Sequence, residues 1–203
     1  MASPERKPRP AYVEAFTELA ARIVASLAGV APAALPIRMV VAGGAALHFH
    51  TGSRVSLDID ASFSRRIVLP AGLEVAYRDE DGAARLLYFN YQYNDTLGLM
   101  HEDAYADSLP LSLPGIDSRV LDVRLLAPVD LAISKLGRYS AQDIADILAL
   151  ATHGLLDGDA MVTRAQAAIS AYVGDTRRLQ GNIDDIARKL KRLCGPEAGD
   201  APQ

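Results

Sequence analysis

The chain has 203 residues, half of them hydrophobic and 23% charged, which suits one packed core, or a core with a helical appendage, and excludes global disorder. A formal net charge of −4 excludes a globally basic nucleic-acid binder, so any such role has to be local. Cys194 is the one cysteine, MASPERKPRP lacks a signal peptide's apolar run, and no stretch reaches the ~18–20 apolar residues of a membrane span, so a cytoplasmic protein without membrane contact is expected.

Residues 1–10 are charged and proline-rich and are expected, like 196–203, to form flexible tails. AYVEAFTELAARIVASLAG then places Val13, Phe16, Leu19 or Ala20, Ile23 and Leu27 at helical spacing and stops at Gly29. IRMVVA (37–42), bounded by Pro36 and Gly43, predicts a buried strand, and GAALHFHT a short helix ending at Gly52. VSLDIDASF alternates, which as a strand sets Asp58 and Asp60 on one face and Leu57, Ile59 and Ala61 on the other. LEVAYR and ARLLYFNYQY flank Asp79–Gly82 as a hairpin, and LGLM and RVLDVRLL read as further short strands around an irregular segment. From Pro128 the pattern turns helical, with Ser140 and Asp143 spaced as a capping box, followed by helices near 159–173 and 175–194. The expected fold is α/β (α+β): a mixed sheet with flanking helices over 11–126, then a helical region over 127–195.

Two carboxylates on one strand face repel each other and resist dehydration, so they are tolerated when exposed, salt-bridged or sharing a divalent metal. Magnesium, or manganese in its place, suits the last case, because it takes oxygen ligands from one or two carboxylates plus substrate phosphates. A Gly-Gly turn entering a helix offers backbone N–H groups to phosphate. Gly43-Gly44 followed by Asp58 and Asp60 therefore points to a triphosphate held beside a metal, the arrangement of nucleotidyl transfer. Taken singly, the glycines read as a plain tight turn and the aspartates as an exposed strand face. His48 and His50, two apart on a helix, point about 200° apart and are poor co-ligands. No Cys/His cluster suggests zinc, and the glycines match neither a P-loop nor a dinucleotide fingerprint.

The string Gly43-Gly44, Arg54, Ser56, Asp58-Ile59-Asp60 resembles the signature of the DNA polymerase β-like nucleotidyltransferase superfamily, and in particular its branch of AbiEii-type toxins and related bacterial proteins. LAPVDLAISKLGRYSAQDIADI is similar to that branch's second motif, and the resemblance spans about residues 37–155. It implies phosphate contacts at Gly43 and Gly44, nucleotide contacts from Arg54, Ser56, Lys135 and Arg138, and metal binding at Asp58 and Asp60. Asp143 or Asp146 would complete the later motif. Superfamily members commonly use a third carboxylate on a neighbouring strand, and Asp122 in VLDVRL fits that place by pattern. Ser56 stands where threonine is commoner, and Ala61 where a larger apolar residue often follows. The implied activity is magnesium-dependent transfer of a nucleoside monophosphate from an NTP to an acceptor hydroxyl, an RNA end such as that of tRNA or a protein side chain. The implied setting is a toxin–antitoxin or phage-defence system with a cognate antitoxin.

Other readings attach to the same residues. Asp143 works equally as a helix cap, Lys135 as a solvated lysine, and Arg54 as an ion-pair partner of Asp58 or Asp60. A continuous helix would bring Lys135 and Asp146 into angular alignment, whereas a break at Ser140 would spoil it. Arg177, Arg178, Arg188, Lys189, Lys191 and Arg192 outnumber Asp175, Asp184 and Asp185, which makes either a local RNA surface or a solvated helix face. The whole chain could also be a catalytically silent nucleotide-binding, RNA-binding or protein-interaction module, or a small-molecule nucleotidyltransferase of the antibiotic-modifying kind.

Overall fold

The computed structural model describes residues 7–93 and 98–194, so residues 1–6 and 196–203 of the expected tails, and Leu97 of the expected LGLM strand, lie outside the described residues. The chain order within them is α1 (Pro10–Ser26), β1 (Ile37–Val41), α2 (Gly43–Thr51), β2 (Asp58–Ile59), β3 (Ala61–Phe63), β4 (Glu74–Arg78), β5 (Ala84–Phe89), β6 (Leu109–Pro110), β7 (Leu121–Leu125), α3 (Pro128–Ser134), α4 (Ala141–Thr152), α5 (Gly158–Ala168) and α6 (Thr176–Cys194). The fold is mixed α+β, of the nucleotidyltransferase type that the sequence pattern predicts.

Two small sheets carry the α/β part. One is four-stranded in the order β3-β1-β7-β6, the other three-stranded in the order β2-β5-β4. IRMVV is buried at four of its five positions, which fits β1 to the middle of its sheet, parallel to β7 and antiparallel to β3. In the second sheet β2 runs parallel to β5, and β4 and β5 form the expected hairpin over the Asp79–Gly82 turn.

The expected single strand over 55–63 is divided. β2 belongs to the three-stranded sheet and β3 to the four-stranded one, with Asp60 at the seam between them. The backbone changes partners there: Asn90 N–H donates to the Ile59 carbonyl at 3.0 Å, and Ala42 N–H to the Asp60 carbonyl at 2.8 Å. Ile59 and Ala61 are buried as alternation predicts, but Leu57 precedes β2 in a bend and is 52% exposed.

Other departures are local. On α1 the ring of Tyr12 fills the core position expected of Val13, which is only half-buried. Residues 98–100 form no strand, although Leu99 is fully buried, and β6 lies inside the segment expected to be irregular. β5 stops at Phe89, because Asn90 turns the chain by accepting from Gln92 N–H at its side chain and Tyr93 N–H at its carbonyl. Arg9, inside the expected tail, is tied down by an ion pair to the buried Asp79, which Arg85 also engages.

One apolar core runs from α1 through both sheets to α6, uniting the two parts of the chain. The capping box forms as predicted: Ser140 Oγ accepts from Asp143 N–H while the Asp143 carboxylate accepts from Ser140 N–H. Among the described residues no helix is long and apolar enough to cross a membrane.

Ile59, 1% exposed between the two aspartates, anchors their backbone in this core. Ile59→Ala is expected to cost about 2–5 kcal/mol in urea denaturation. Leu57→Ala is expected to stay within about ±0.5 kcal/mol. Equal losses at the two positions would contradict the seam at Asp60.

Candidate active site

The spacing between the glycines and the aspartates has a steric explanation. Gly43 adopts φ +58°, and a Cβ on it would run into the Asp60 carboxylate at Oδ2. A Cβ on Gly44 would stand 2.6 Å from Ser56 Oγ and 2.9 Å from Ser56 Cβ. Ser56 Oγ in turn donates to Asp58 Oδ1 at 2.7 Å, and Asn90 Nδ2 donates to Asp60 Oδ1 at 2.8 Å. Each glycine thus vacates the volume that one carboxylate, or the serine supporting it, occupies. Burial pushes the Asp60 carboxyl above its ordinary value, the Asn90 bond opposes this, and the charge on Asp58 adds to it.

The second motif gathers behind this turn. Asp146, almost fully buried, accepts Lys135 Nζ at 2.7 Å, a two-pronged bond from Arg54 at 2.9 and 2.8 Å, and Gln142 Nε2 at 2.8 Å. The helix does break, with Tyr139 in the left-handed region at φ 54°, yet Lys135 and Asp146 meet. The break therefore does not spoil the pairing: α3 ends, the chain turns, and α4 returns its first turns past Lys135. Arg54 pairs with neither Asp58 nor Asp60 but reaches α4, joining the two parts of the chain. Lys135 is no solvated lysine, being 7% exposed with Asp143 Oδ1 at 4.0 Å as a second neighbour. Asp143 accepts a two-pronged bond from Arg138 at 2.7 Å besides its capping contacts. Burial works against its ionisation, but the Arg138 and Ser140 bonds prevail and hold its pKa at about 2. Burial likewise opposes ionisation of Asp146, and Arg54 and Lys135 hold it below the ordinary carboxylate value.

Gly43 and Asp60 line a cleft of about 490 Å³ together with Lys135, Arg138, Asp143 and Arg178. Tyr172 adds an aromatic wall. Of the residues singled out in the sequence, Gly43, Asp60, Lys135, Arg138, Asp143 and Arg178 line the cleft. Asp58 stands two residues from Asp60, half-buried. Gly44 and Ser56 are buried beneath, and Arg54 and Asp146 form the bracing behind. Ser56 and Arg54 occupy the space where a Gly44 side chain would stand.

Asp122 is not brought to the site. It pairs in register with Arg38, four positions along β1 from Ala42, a separation of about 13 Å. Its carboxylate lies 3.4 Å from Arg38 Nε and 3.7 Å from Arg124 Nη1, which accounts for a charge between apolar neighbours. The residue that does stand beside Asp60, just past the end of the neighbouring β5, is Asn90, an amide that pattern reading for carboxylates passes over. Among the described residues no group of three His, Cys, Asp or Glu side chains is placed to hold a metal ion. Two carboxylates such as Asp58 and Asp60 would fit magnesium or manganese only with substrate phosphates and water completing the coordination, and would not fit a cage made by protein alone.

The histidines are structural. His48 packs edge-on to Tyr12, accepts Arg9 N–H at Nε2 and bonds the Ser53 carbonyl through Nδ1, while His50 bonds the Leu126 carbonyl.

The fold is of the nucleotidyltransferase type. A family described as "Nucleotidyltransferase of unknown function (DUF6036)" matches residues 19–189, and the chain belongs to that family. Comparison with curated proteins and with solved structures found no match.

If Gly44 exists to make room for Ser56, Gly44→Ala should cost about 1–3 kcal/mol alone and appreciably less in a Ser56→Gly background. A double-mutant cycle by chemical denaturation measures this, and strict additivity would separate the two residues. Lys135→Ala should lose stability near the lower end of about 3–5 kcal/mol, because Asp146 keeps Arg54 and Gln142. A loss within about ±0.5 kcal/mol would return Lys135 to the status of a surface lysine.

Proposed function

We propose that the cleft takes a nucleoside triphosphate, with its phosphates against Gly43 and the first turn of α2, and that the protein transfers the nucleoside monophosphate to an acceptor hydroxyl. The observation that carries this reading is the seating of the Asp60 carboxylate over Gly43 in a cleft that Lys135, Arg138 and Arg178 also line. Asp58 and Asp60 would hold magnesium or manganese, which when bound supplies charge neutralisation to the α-phosphate and the departing pyrophosphate. In the transfer the acceptor oxygen bonds to the α-phosphorus, the bond to pyrophosphate breaks, and the acceptor's proton passes to solvent.

The chain's own groups divide the remaining work. Arg138, 74% exposed at its side chain, can turn from Asp143 to a phosphate with little loss of packing. Arg178, held by the Gly137 carbonyl at 3.0 Å, adds a second charge. Lys135, on the cleft wall, contributes through its field, since Asp146 occupies its ammonium. The likeness of both motifs to the AbiEii-type branch supports a toxin role, with an RNA end such as tRNA or a protein as acceptor and an antitoxin as partner. Arg177, Lys191 and Arg192 on exposed positions of α6 offer an RNA contact, which should weaken with salt.

A second reading, a nucleotide-, RNA- or protein-binding module without turnover, is favoured by the commitment of Lys135 and Arg54 to Asp146. Incubation with each labelled NTP, magnesium, total RNA, lysate protein and small hydroxylated acceptors separates these readings. Label should move to an acceptor class with wild type and not with Asp58→Ala or Asp60→Ala, both of which should melt no earlier than wild type because a repulsion is removed. Transfer that persists in either variant, or label that reaches no acceptor, would contradict the proposal.

A further inference from the structure

The Asn90 amide is oriented by two independent contacts. Its Oδ1 accepts Gln92 N–H at 3.1 Å, which turns Nδ2 towards Asp60, and Nδ2 then donates to Asp60 Oδ1 at 2.8 Å. Because Oδ1 is engaged by a backbone donor, the amide meets Asp60 as a donor and not as an acceptor. The other Asp60 oxygen, Oδ2, lies over Gly43, the residue that shares the edge of the cleft. Asp60 is thus fixed at one oxygen and directed by the other. The main chain reinforces this, since Asn90 N–H donates to the Ile59 carbonyl at 3.0 Å and keeps residue 90 level with residue 60.

We propose that Asn90 is a positioning residue for the divalent-cation site: its amide aims Asp60 and, being neutral, sets the site's own ligand charge at two carboxylates. This rests on the reading of Asp58 and Asp60 as cation ligands. A carboxylate at position 90 would keep one oxygen on Gln92 N–H and set the other against Asp60 Oδ1, at a separation where two like charges repel unless a cation lies between them. A neutral amide gives the opposite behaviour. The site is stable without metal, holds the ion weakly, and depends on substrate phosphates to complete the coordination. A plain strand-end asparagine predicts none of this, because its loss would alter folding alone.

The test is manganese titration of the full chain without nucleotide, followed by electron paramagnetic resonance and by melting. Wild type should bind Mn2+ weakly. Asn90→Ala should weaken that binding by about 10–100-fold, the usual effect of removing a hydrogen bond that orients a ligand. Asn90→Asp should melt earlier than wild type in chelator, yet gain more in melting temperature on adding Mn2+ and bind it on the order of tenfold more tightly. If Asn90→Ala folds poorly, the metal-dependent rise in Asn90→Asp decides alone. Wild-type binding with unchanged affinity in Asn90→Ala, or an Asn90→Asp protein whose melting ignores Mn2+, would overturn the inference and leave the cation site standing. No binding by wild type or by Asn90→Asp would remove the cation site itself, and the inference with it.

Discussion

Two glycines and two carboxylates share one small volume, and the rest of the site depends on that sharing. Gly43 lacks a Cβ where Asp60 sits, and Gly44 lacks one where Ser56 reaches up to hold Asp58. The backbone closes the same unit, because Ala42 N–H is spent on the Asp60 carbonyl. The turn that starts α2 and the seam between the sheets are thereby one construction. Any shift of the helix start moves the carboxylates, and any shift of the carboxylates crowds the helix start. Such mutual exclusion holds charged groups in place without needing an attraction between them.

A second lock joins the helical region to this unit. Asp146 is buried with three donors around it, Arg54 from the α/β part and Lys135 and Gln142 from the helices. Burying these charges is costly, and the attraction repays it only because every carboxylate lone pair is engaged. The contacts favour one register of α4, since a shifted helix would take Asp146 away from Arg54 and Lys135. Asp143 repeats the device nearer the cleft with Arg138, and there the arginine stays exposed enough to exchange partners. The Lys135–Asp146 pair is buried, and Arg138 is the exposed member of the set.

Much of this was legible in the sequence where one residue type has one physical use. The glycine entry to α2, the hairpin over Asp79–Gly82 and the Ser140–Asp143 cap match the sequence reading, because turn chemistry and capping are local. Asp122 misled because alternation gives the face of a strand and not the position along it. Register with Arg38 put it at the far end of β1. Asn90 carries no signal in the sequence, because nothing local marks an asparagine that supports a carboxylate. The division of 55–63 into two strands was hidden as well, since a change of sheet leaves the alternation intact. The meeting of Lys135 with Asp146 was judged by helix periodicity, which stops applying once the chain turns at Tyr139.

The most direct measurement is diffraction at the manganese edge from crystals grown with Mn2+ and a non-hydrolysable nucleoside triphosphate. An anomalous peak bridging Asp58 and Asp60, with the phosphates running from Gly43 towards Arg138, is the expected result. A triphosphate bound elsewhere, or manganese found away from both carboxylates while the cleft stays empty, would contradict the assignment of the cleft as a nucleotide site.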